Sequence, residues 1–427
     1  MQTKLNYRRT FFIGLAFLSI CAFWQMYDNI IPLMLQNTFG LGETVTGVLM
    51  AMDNVLALVL LPVFGALSDK VSTPMGKRTP FILVGTILAV IFMMLLPLAD
   101  RRQSLLLFIA ALFATLLSMG LYRSPAVALM PDLTPNRLRS RANAVINLMG
   151  AVGGVYALVM IKLLVGKGDR PDYTPLFVSI AALMAVAVGV LLITIRENKL
   201  RKEIEEAECT EKTEQFTAGE KTILSKEVKR SMIFMLMSIC FWFMAYNAVT
   251  TAFSRYTRVV WKMEGGSFAN CLMVATVAAI VSYIPIGSIS AKIGRKKTIM
   301  GGVLLMAACY GAAIFVGAYH PLVNIAFALI GVGWAAINVN SYPMIVAMSQ
   351  GSDIGKFTGT YYTFSMAAQV VTPILSGFLL ETVSYRTLFP YAFVFAVLAF
   401  CTMTQVRHGD VKPQKKESLL ENFDVDD

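Results

Sequence analysis

The sequence is poor in charged residues and in the residues that bind metals or form disulfides. Only 15% of the 427 residues are charged, whereas soluble domains carry about 25%. There are two histidines and six scattered cysteines without a Cys-x-x-Cys pair, which argues against a zinc site and a disulfide framework. A nucleotide-binding loop and a nucleophile with a histidine partner are also missing, so we expect neither an enzyme nor a bound cofactor.

Long apolar runs fill most of the chain. Hydrophobic residues make up 56% of it, and the mean hydropathy is +0.65. Because a membrane-spanning helix needs roughly 20 apolar residues, this composition predicts an integral membrane protein with short loops. The predicted spans are 11–35, 44–68, 79–98, 104–130, 142–165, 174–195, 231–254, 268–291, 298–318, 321–348, 356–380 and 386–405.

The net charge of +11 comes mainly from basic residues in loops on one predicted side. Lys4, Arg8 and Arg9 precede the first span, so the positive-inside rule places the N-terminus in the cytoplasm. An even number of spans then places the C-terminus there as well. We therefore expect these residues to set orientation and contact anionic lipid of the bilayer, and we expect no nucleic-acid partner.

Two strings recur in the second part of the chain. SICAFWQMYDN (residues 19–29) is repeated approximately as SICFWFMAYN (238–247). Residues 65–78 are repeated as GSISAKIGRKK (287–297), with Ala291 in the place of Asp69. Two matches in the same register predict a duplicated architecture of two halves.

The predicted domains are an N-terminal six-helix half (1–195), a charged linker (196–230), a C-terminal six-helix half (231–405) and a tail (406–427). The linker carries equal numbers of acidic and basic residues. We interpret it as a helical or partly disordered solvated segment rather than a binding element. Linker and tail are both expected on the cytoplasmic side.

The stretch GALSDKVSTPMGKRTPF, residues 65–81, places a cluster of charges between two spans. It resembles the loop between helices 2 and 3 of the major facilitator superfamily. The residues before Gly76 and the Thr-Pro-Phe after Arg78 resemble the branch of plant-type sucrose:proton symporters and their bacterial relatives. Glycoside–pentoside–hexuronide symporters are similar more distantly. The strings PDLTPNRLRSRANAVINLMG, GWAAINVNSYP and KFTGTYYTFSMAAQVVTPILSG extend the resemblance over most of the chain.

This resemblance implies an all-α integral membrane protein with twelve transmembrane helices in two pseudo-symmetric halves, in the inner membrane of a bacterium. It also implies a cytoplasmic gate of Asp69, Arg78 and Asp132, which would hold the halves together with Asp69 near Gly355. The alternative is that these residues form loose surface ion pairs, which contribute little to the free energy of folding. Plant-type members carry an acid and an arginine in helix 4 where this chain has Leu116 and Val127, so the coupling scheme and sucrose itself do not carry over.

Three charges lie in the interior of predicted spans, away from the ends, and each one is a functional hypothesis. Asp28 and Asp53 are expected at similar depth, and two carboxylates facing one cavity suit proton coupling. Alternatively, one of them caps a backbone break or binds Asn29 or Asn54. Arg123 is expected to bind substrate or to sense which carboxylate is charged, without a resting ion pair to either aspartate.

The alternative for Arg123 is a structural bond to backbone carbonyls near Pro125.

Amides and aromatic rings within the spans suit a polyhydroxylated ligand, although amides also join helices and aromatics also form interfacial belts. The predicted substrate-binding residues are Arg123, Trp24, Tyr27, Asn143, Asn147, Tyr246, Asn247, Asn338, Asn340, Tyr361 and Gln369.

These features predict a secondary transporter, with proton-coupled symport of a sugar or glycoside by alternating access as the first interpretation. The expected partners are that small-molecule substrate, the coupling proton and the lipid bilayer, and the expected state is a monomer. An exporter or antiporter of organic anions, drugs or metabolites is the alternative. A third interpretation is a non-transporting membrane sensor with a transporter fold.

Overall fold

The computed structural model of the protein describes residues 5–135, 138–168, 170–209, 225–348 and 354–410. Within these ranges the chain is helical and contains no β-strand, which confirms the predicted all-α class. A 3₁₀ turn, Tyr385–Thr387, precedes the last helix. The helices are α1 (Tyr7–Asn37), α2 (Glu43–Lys70), α3 (Thr79–Arg101), α4 (Leu105–Asp132), α5 (Arg139–Leu164), α6 (Thr174–Thr194), α7 (Glu197–Cys209), α8 (Lys226–Val259), α9 (Ala269–Ile293), α10 (Arg295–Ala313), α11 (Val323–Met348), α12 (Ile354–Thr382) and α13 (Leu388–Thr404).

Eleven helices in the described part of the chain are long and apolar enough to cross a membrane. The predicted span 298–318 corresponds to α10, which begins with three basic residues, Arg295, Lys296 and Lys297, and is therefore less apolar over its length. The remaining helix, α7, has 13 residues. It would extend about 20 Å, too short for a hydrocarbon core of about 30 Å. The chain is an integral, multi-pass membrane protein.

The chain divides into two compact units. Unit 1 comprises Met1–Gly40, Met52–Gln215 and Glu264–Gly266, and unit 2 comprises Leu41–Ala51, Phe216–Met263 and Ser267–Asp427. Helix α2 thus contributes its first residues to unit 2 and the rest to unit 1. Residues 210–224 of the predicted linker and 411–427 of the predicted tail lie outside the described residues.

Close approach of helices inside unit 1 depends on small residues and on one buried hydroxyl pair. A side chain at Gly153 of α5 would collide with the carbonyl oxygen of Leu18 of α1. The hydroxyls of Ser19 and Tyr122 lie 2.6 Å apart, and the Tyr122 hydroxyl also donates to the Ala16 carbonyl at 3.0 Å. Because apolar burial does not drive association between helices in lipid, such contacts define their packing. They set α4 against α1.

Glycines also allow a close approach of helices inside unit 2. A side chain at Gly331 of α11 would collide with the Ala275 carbonyl of α9, and the backbones of Gly302 and Gly333 meet between α10 and α11. At the other end of the unit, Gly377 of α12 lies against the backbone of Glu43. The glycines thereby fix the first turn of α2 against α12 within unit 2.

Candidate functional site

Arg78 lies at the centre of a charged cluster in unit 1. Its Nη2 donates to Oδ1 of Asp69 at 2.5 Å, and its Nε donates to Oδ2 of Asp132 at 2.8 Å. Its Nη1 donates to the Ser68 hydroxyl and to the Gly65 carbonyl. The guanidinium is buried, whereas 61% of the Asp69 side chain is exposed. The structure thus brings together the three predicted gate residues, which we call the Arg78 triad.

The structure adds Glu197, a residue that the sequence did not single out. Its carboxylate accepts hydrogen bonds from the backbone N–H groups of Lys77 (2.7 Å), Arg78 (3.0 Å) and Thr79 (2.9 Å). The Thr79 hydroxyl donates to it as well, at 2.7 Å. The next residue, Asn198, donates to the carbonyls of residues 73 and 74. The first two residues of α7, at the start of the predicted linker, are thus bound to the loop between α2 and α3.

The second copy of the loop, in unit 2, has an acid in a corresponding place. Asp410 follows the last helix, as Glu197 follows α6, and its Oδ1 accepts from the backbone N–H of Lys296 at 3.0 Å. Arg295, in this copy, donates to the carbonyl of Pro343 at 3.2 Å. Since Ala291 replaces the aspartate of the first copy, the second copy has a capped helix without the triad.

The two intramembrane acids lie in one region of unit 1, on α1 and α2. Asp28 and Asp53 are half-buried, and each is within electrostatic range of Tyr27. Asp53 also acts electrostatically on Asp28. One oxygen of Asp53 accepts from the backbone N–H of Asn54 at 2.5 Å and from its side-chain amide at 2.7 Å. Asn29 instead donates to the Gln25 carbonyl. Of the two asparagines named as alternative partners of the aspartates, Asn54 is therefore the one that binds an aspartate in the described structure.

Arg123 of α4 faces α1 in the same unit. Its guanidinium carbon lies 5.8 Å from the ring centre of Trp24, a cation–π distance. Within the described residues it forms no ion pair with Asp28 or Asp53, but its charge acts on Asp53 electrostatically. Because the neighbouring Tyr122 is bonded to α1, the packing of α4 places the guanidinium beside Trp24. A cation and an indole ring are thus held close to two acids.

The remaining predicted residues of unit 1 are half-buried or packed. Asn143 and Asn147 lie half-buried on α5, one turn apart. Tyr27 is buried, with its ring stacked on Phe23 at 6.0 Å between centroids and edge-on to Trp24 at 5.3 Å. Its buried hydroxyl has no hydrogen-bond partner among the described residues. Such a hydroxyl is available for a bond to an acid or a ligand.

The predicted residues of unit 2 divide into accessible and buried ones. Tyr246, Asn247 and Gln369 are half-buried, and the Tyr246 ring stacks on Trp334 with centroids 3.7 Å apart and planes 3° apart. Asn338, Asn340 and Tyr361 are buried, with at most 2% of each exposed. Asn340 donates to the Ala336 carbonyl of its own helix at 2.9 Å, and Tyr361 lies 3.3 Å from the Ser341 hydroxyl. These three residues contribute to packing in this structure.

A buried ion pair in unit 2 was not predicted. Nε of Arg255 lies 2.9 Å from Oε2 of Glu43, and only 3% of either side chain is exposed. The Tyr385 hydroxyl donates to the other oxygen of Glu43, and the backbone N–H of Thr44 donates to Glu381 at 2.7 Å. Burying two charges is costly unless they are paired, so this cluster fixes the first turn of α2 to unit 2.

The fold, the apolar helices and the charged loop between α2 and α3 define a membrane transporter of the major facilitator type. The chain belongs to the family described as MFS/sugar transport protein, whose model matches residues 12–400. The resemblance found in the sequence is thereby confirmed at the level of the family.

One curated relative is the Sucrose transport protein SUC3 of Arabidopsis thaliana. It is 25% identical over 151 residues, which cover 31% of this chain and 25% of that protein. The chain thus matches about a quarter of the length of this relative.

Several solved transporters share the fold. A bacterial homologue of the iron transporter ferroportin superposes with a TM-score of 0.67 at 12% identity, over 94% of this chain and 99% of that one. The nucleoside transporter NupG gives 0.67 at 13% identity, over 93% and 100%. The major facilitator transporter FucP gives 0.56 at 14% identity, over 94% and 99%. At these identities the likeness shows the fold alone.

Proposed function

We propose that this transporter is a proton-coupled symporter of a sugar or glycoside that works by alternating access. The observation that carries the proposal is the grouping of Asp28, Asp53 and Tyr27 beside Arg123 and Trp24 inside unit 1. Charge within a membrane is expensive, so the acids Asp28 and Asp53 together with Arg123 require a function. Proton binding by the carboxylates is the function that their chemistry suits best.

In this proposal Asp28 and Asp53 carry the coupling proton. Arg123 and Trp24 bind the substrate, the guanidinium through hydroxyl oxygens and the indole through the apolar face of the sugar ring. The half-buried amides of Asn143 and Asn147, also in unit 1, supply further hydrogen bonds. The partial match to a plant sucrose transport protein supports a sugar as the substrate class, and sucrose itself is not part of the proposal.

The Arg78 triad is proposed as the cytoplasmic gate, with both termini and the loop between α2 and α3 on the cytoplasmic side of a bacterial inner membrane. The division into two six-helix halves, a linker and a tail is part of the same proposal. The predicted contact of Asp69 with the chain around Gly355 stays a prediction, since residues 349–353 lie outside the described ranges.

An organic anion is the second candidate substrate. It is favoured by Arg123, which forms no ion pair with Asp28 or Asp53 in the described structure and therefore has its charge available for a carboxylate ligand. Arg is the residue best suited to bidentate carboxylate recognition. Transport of such an anion would make the protein an antiporter or exporter in place of a sugar symporter.

The test uses purified protein in liposomes that contain a pH-sensitive dye. Sucrose, maltose, lactose, methyl glycosides, lactate and citrate are added outside in turn, and acidification of the lumen is recorded. Sugar-dependent acidification supports the symporter. Alkalinisation of the lumen with lactate or citrate alone supports the second candidate, because an antiporter moves the proton out as the anion enters. Silence with every compound contradicts both candidates and favours a sensor.

A further inference from the structure

We propose that Glu197 is a positioning residue of the gate, which holds the backbone of Arg78 so that the guanidinium reaches Asp69 and Asp132. The inference rests on the proposed function insofar as the Arg78 triad is a gate. It assigns to the first residue of α7, at the start of the linker, a role in transport rather than in connection alone.

The contacts of Glu197 supply a cap that helix α3 otherwise lacks. The first N–H groups of a helix have no partner within it. Arg78 is the N-cap residue of α3, and its side chain makes no capping bond in the described structure. Glu197 instead accepts from the N–H groups of residues 77, 78 and 79 and from the Thr79 hydroxyl. A residue from more than a hundred positions later thus completes the helix.

The burial of Glu197 shows that this arrangement is specific. Only 1% of the residue is exposed. A buried carboxylate is costly unless hydrogen bonds and charge compensate it, and here four donors and the positive end of the α3 dipole do so. A side chain at Gly76 would collide with the Glu197 carboxylate, so the loop leaves room for this one acid. Gly76 also has a φ of 125°, which favours glycine.

The same contacts orient Arg78. Its backbone N–H is bonded to Glu197, while its side chain extends to Asp69 and Asp132. On the other side of the loop, Asn198 donates to the carbonyls of residues 73 and 74, both at 2.9 Å. The backbone of the loop is thus held from two sides while the Arg78 guanidinium contacts both carboxylates. Loss of Glu197 would release the loop and misplace the guanidinium.

The chain contains a natural comparison for a purely structural cap. Asp410 bonds the first turn of α10 in unit 2 through the N–H of Lys296. That copy of the loop has Ala291 instead of an aspartate, so Asp410 has no triad to position. If capping alone matters, the two acids should behave alike. If Glu197 acts through Arg78, only its loss should alter gating.

The experiment compares Glu197→Gln with Asp410→Asn and with Glu203→Gln, which removes an exposed acid from the same helix α7. Sugar-driven turnover and KM are measured in liposomes with the sugar that gives the largest response. Loss of a capping carboxylate costs enough to predict a turnover about five- to tenfold lower for Glu197→Gln. Its KM should stay within about twofold, and the two control variants should retain the turnover of the parent.

A double-variant cycle with Asp69→Asn decides between positioning and capping. Residues that act through one network are not additive, so Asp69→Asn should lower turnover little further in the Glu197→Gln background. The inference is overturned if the double variant loses turnover by the product of the two single losses. It is also overturned if Glu197→Gln and Asp410→Asn have equal turnover.

A second readout needs no substrate and separates this inference from the proposed function. Hydrogen exchange at the amides of Lys77, Arg78 and Thr79 should accelerate in Glu197→Gln. The shifts in unfolding temperature of Glu197→Gln and Arg78→Gln should be non-additive, because the contacts of the buried guanidinium depend on the backbone that Glu197 holds. Unchanged exchange or additive shifts overturn the inference even if sugars are transported. If both results are as expected but no sugar acidifies the lumen, the proposed function fails and the positioning of Arg78 stands.

Discussion

Arg123 of α4 and Trp24 of α1 form a contact between a cation and an aromatic ring that joins the two helices. At the scale of residues, we predict that Arg123→Gln raises the KM for the sugar by about tenfold or more. Hydrogen bonds to a charged group contribute roughly 1.5–3 kcal/mol. Turnover at saturating sugar should change less, because the contact is made already in the bound state.

Arg123→Lys is the control, since it keeps the charge and loses the planar fork, and we expect an intermediate KM. The measurement is initial uptake rate against sugar concentration in liposomes. An unchanged KM in Arg123→Gln, together with a lower unfolding temperature, would instead assign this arginine a structural role near Pro125.

For Asp69 we propose a contribution that is kinetic rather than stabilising. Because 61% of its side chain is exposed, its pair with Arg78 should contribute under about 1 kcal/mol to the free energy of unfolding. We predict that Asp69→Asn slows turnover while KM and the unfolding temperature stay close to those of the parent. Lys70→Gln, which neutralises the adjacent exposed residue, should transport at the normal rate. Normal turnover in Asp69→Asn would show that the Arg78 triad does not act as a gate.

Glu43 and Arg255 are the opposite case, since both are buried. Removing one partner of a buried ion pair typically costs 3–5 kcal/mol, because the other charge stays buried without compensation. We therefore predict a marked fall in the unfolding temperature of Arg255→Met, measured in detergent. The double variant Glu43→Gln/Arg255→Met should regain much of the loss. A single variant as stable as the parent would show that the pair is not formed.

The charges inside the apolar runs could be predicted from the sequence, but their neighbours could not. Asp28, Asp53 and Arg123 interrupt long apolar segments and are conspicuous for that reason. The contact of Arg123 with Trp24 depends on how α4 packs on α1, which no local pattern encodes. Glu197 had no signal either, because it belongs to a segment in which acids are frequent and each looks solvated.

At the scale of elements, the glycine at the crossing of α1 and α5 carries a prediction. A Cβ at position 153 would collide with the Leu18 carbonyl, so Gly153→Ala must push the two helices apart. Overpacking of this kind costs roughly 1–3 kcal/mol, and we expect a lower unfolding temperature. Gly189→Ala on α6 is the matched control, because no atom of another helix lies within 4 Å of its added methyl group. Equal unfolding temperatures for the two variants would contradict the close crossing.

Helix ends account for the most consequential difference between the predicted and the observed elements. The predicted span 44–68 begins one residue after the start of α2, whose first residue is Glu43. The predicted span 231–254 ends before α8, which continues to Val259. Glu43 and Arg255 therefore lie one residue outside the predicted spans and do not count there as charges within the membrane. Hydropathy places the middle of a span well and its ends poorly, because the end is decided by which polar side chains find partners.

At the scale of the whole molecule, the duplicated sequence is matched by duplicated capping. Glu197 follows α6 and bonds the first turn of α3, and Asp410 follows α13 and bonds the first turn of α10. The internal repeat predicted the two loops, and it did not predict the acids, which lie outside the repeated strings. The all-α fold and the family were predictable because they depend on apolar length and on the loop motif.

We propose that Asp28 and Asp53 couple proton movement to substrate. The most direct measurement compares the parent with Asp28→Asn and Asp53→Asn in liposomes, following sugar-driven acidification and sugar exchange in the same preparation. We predict that at least one variant loses acidification and keeps part of the exchange, because a neutral amide cannot carry the proton while the binding residues remain. Acidification in both variants equal to that of the parent would contradict the account.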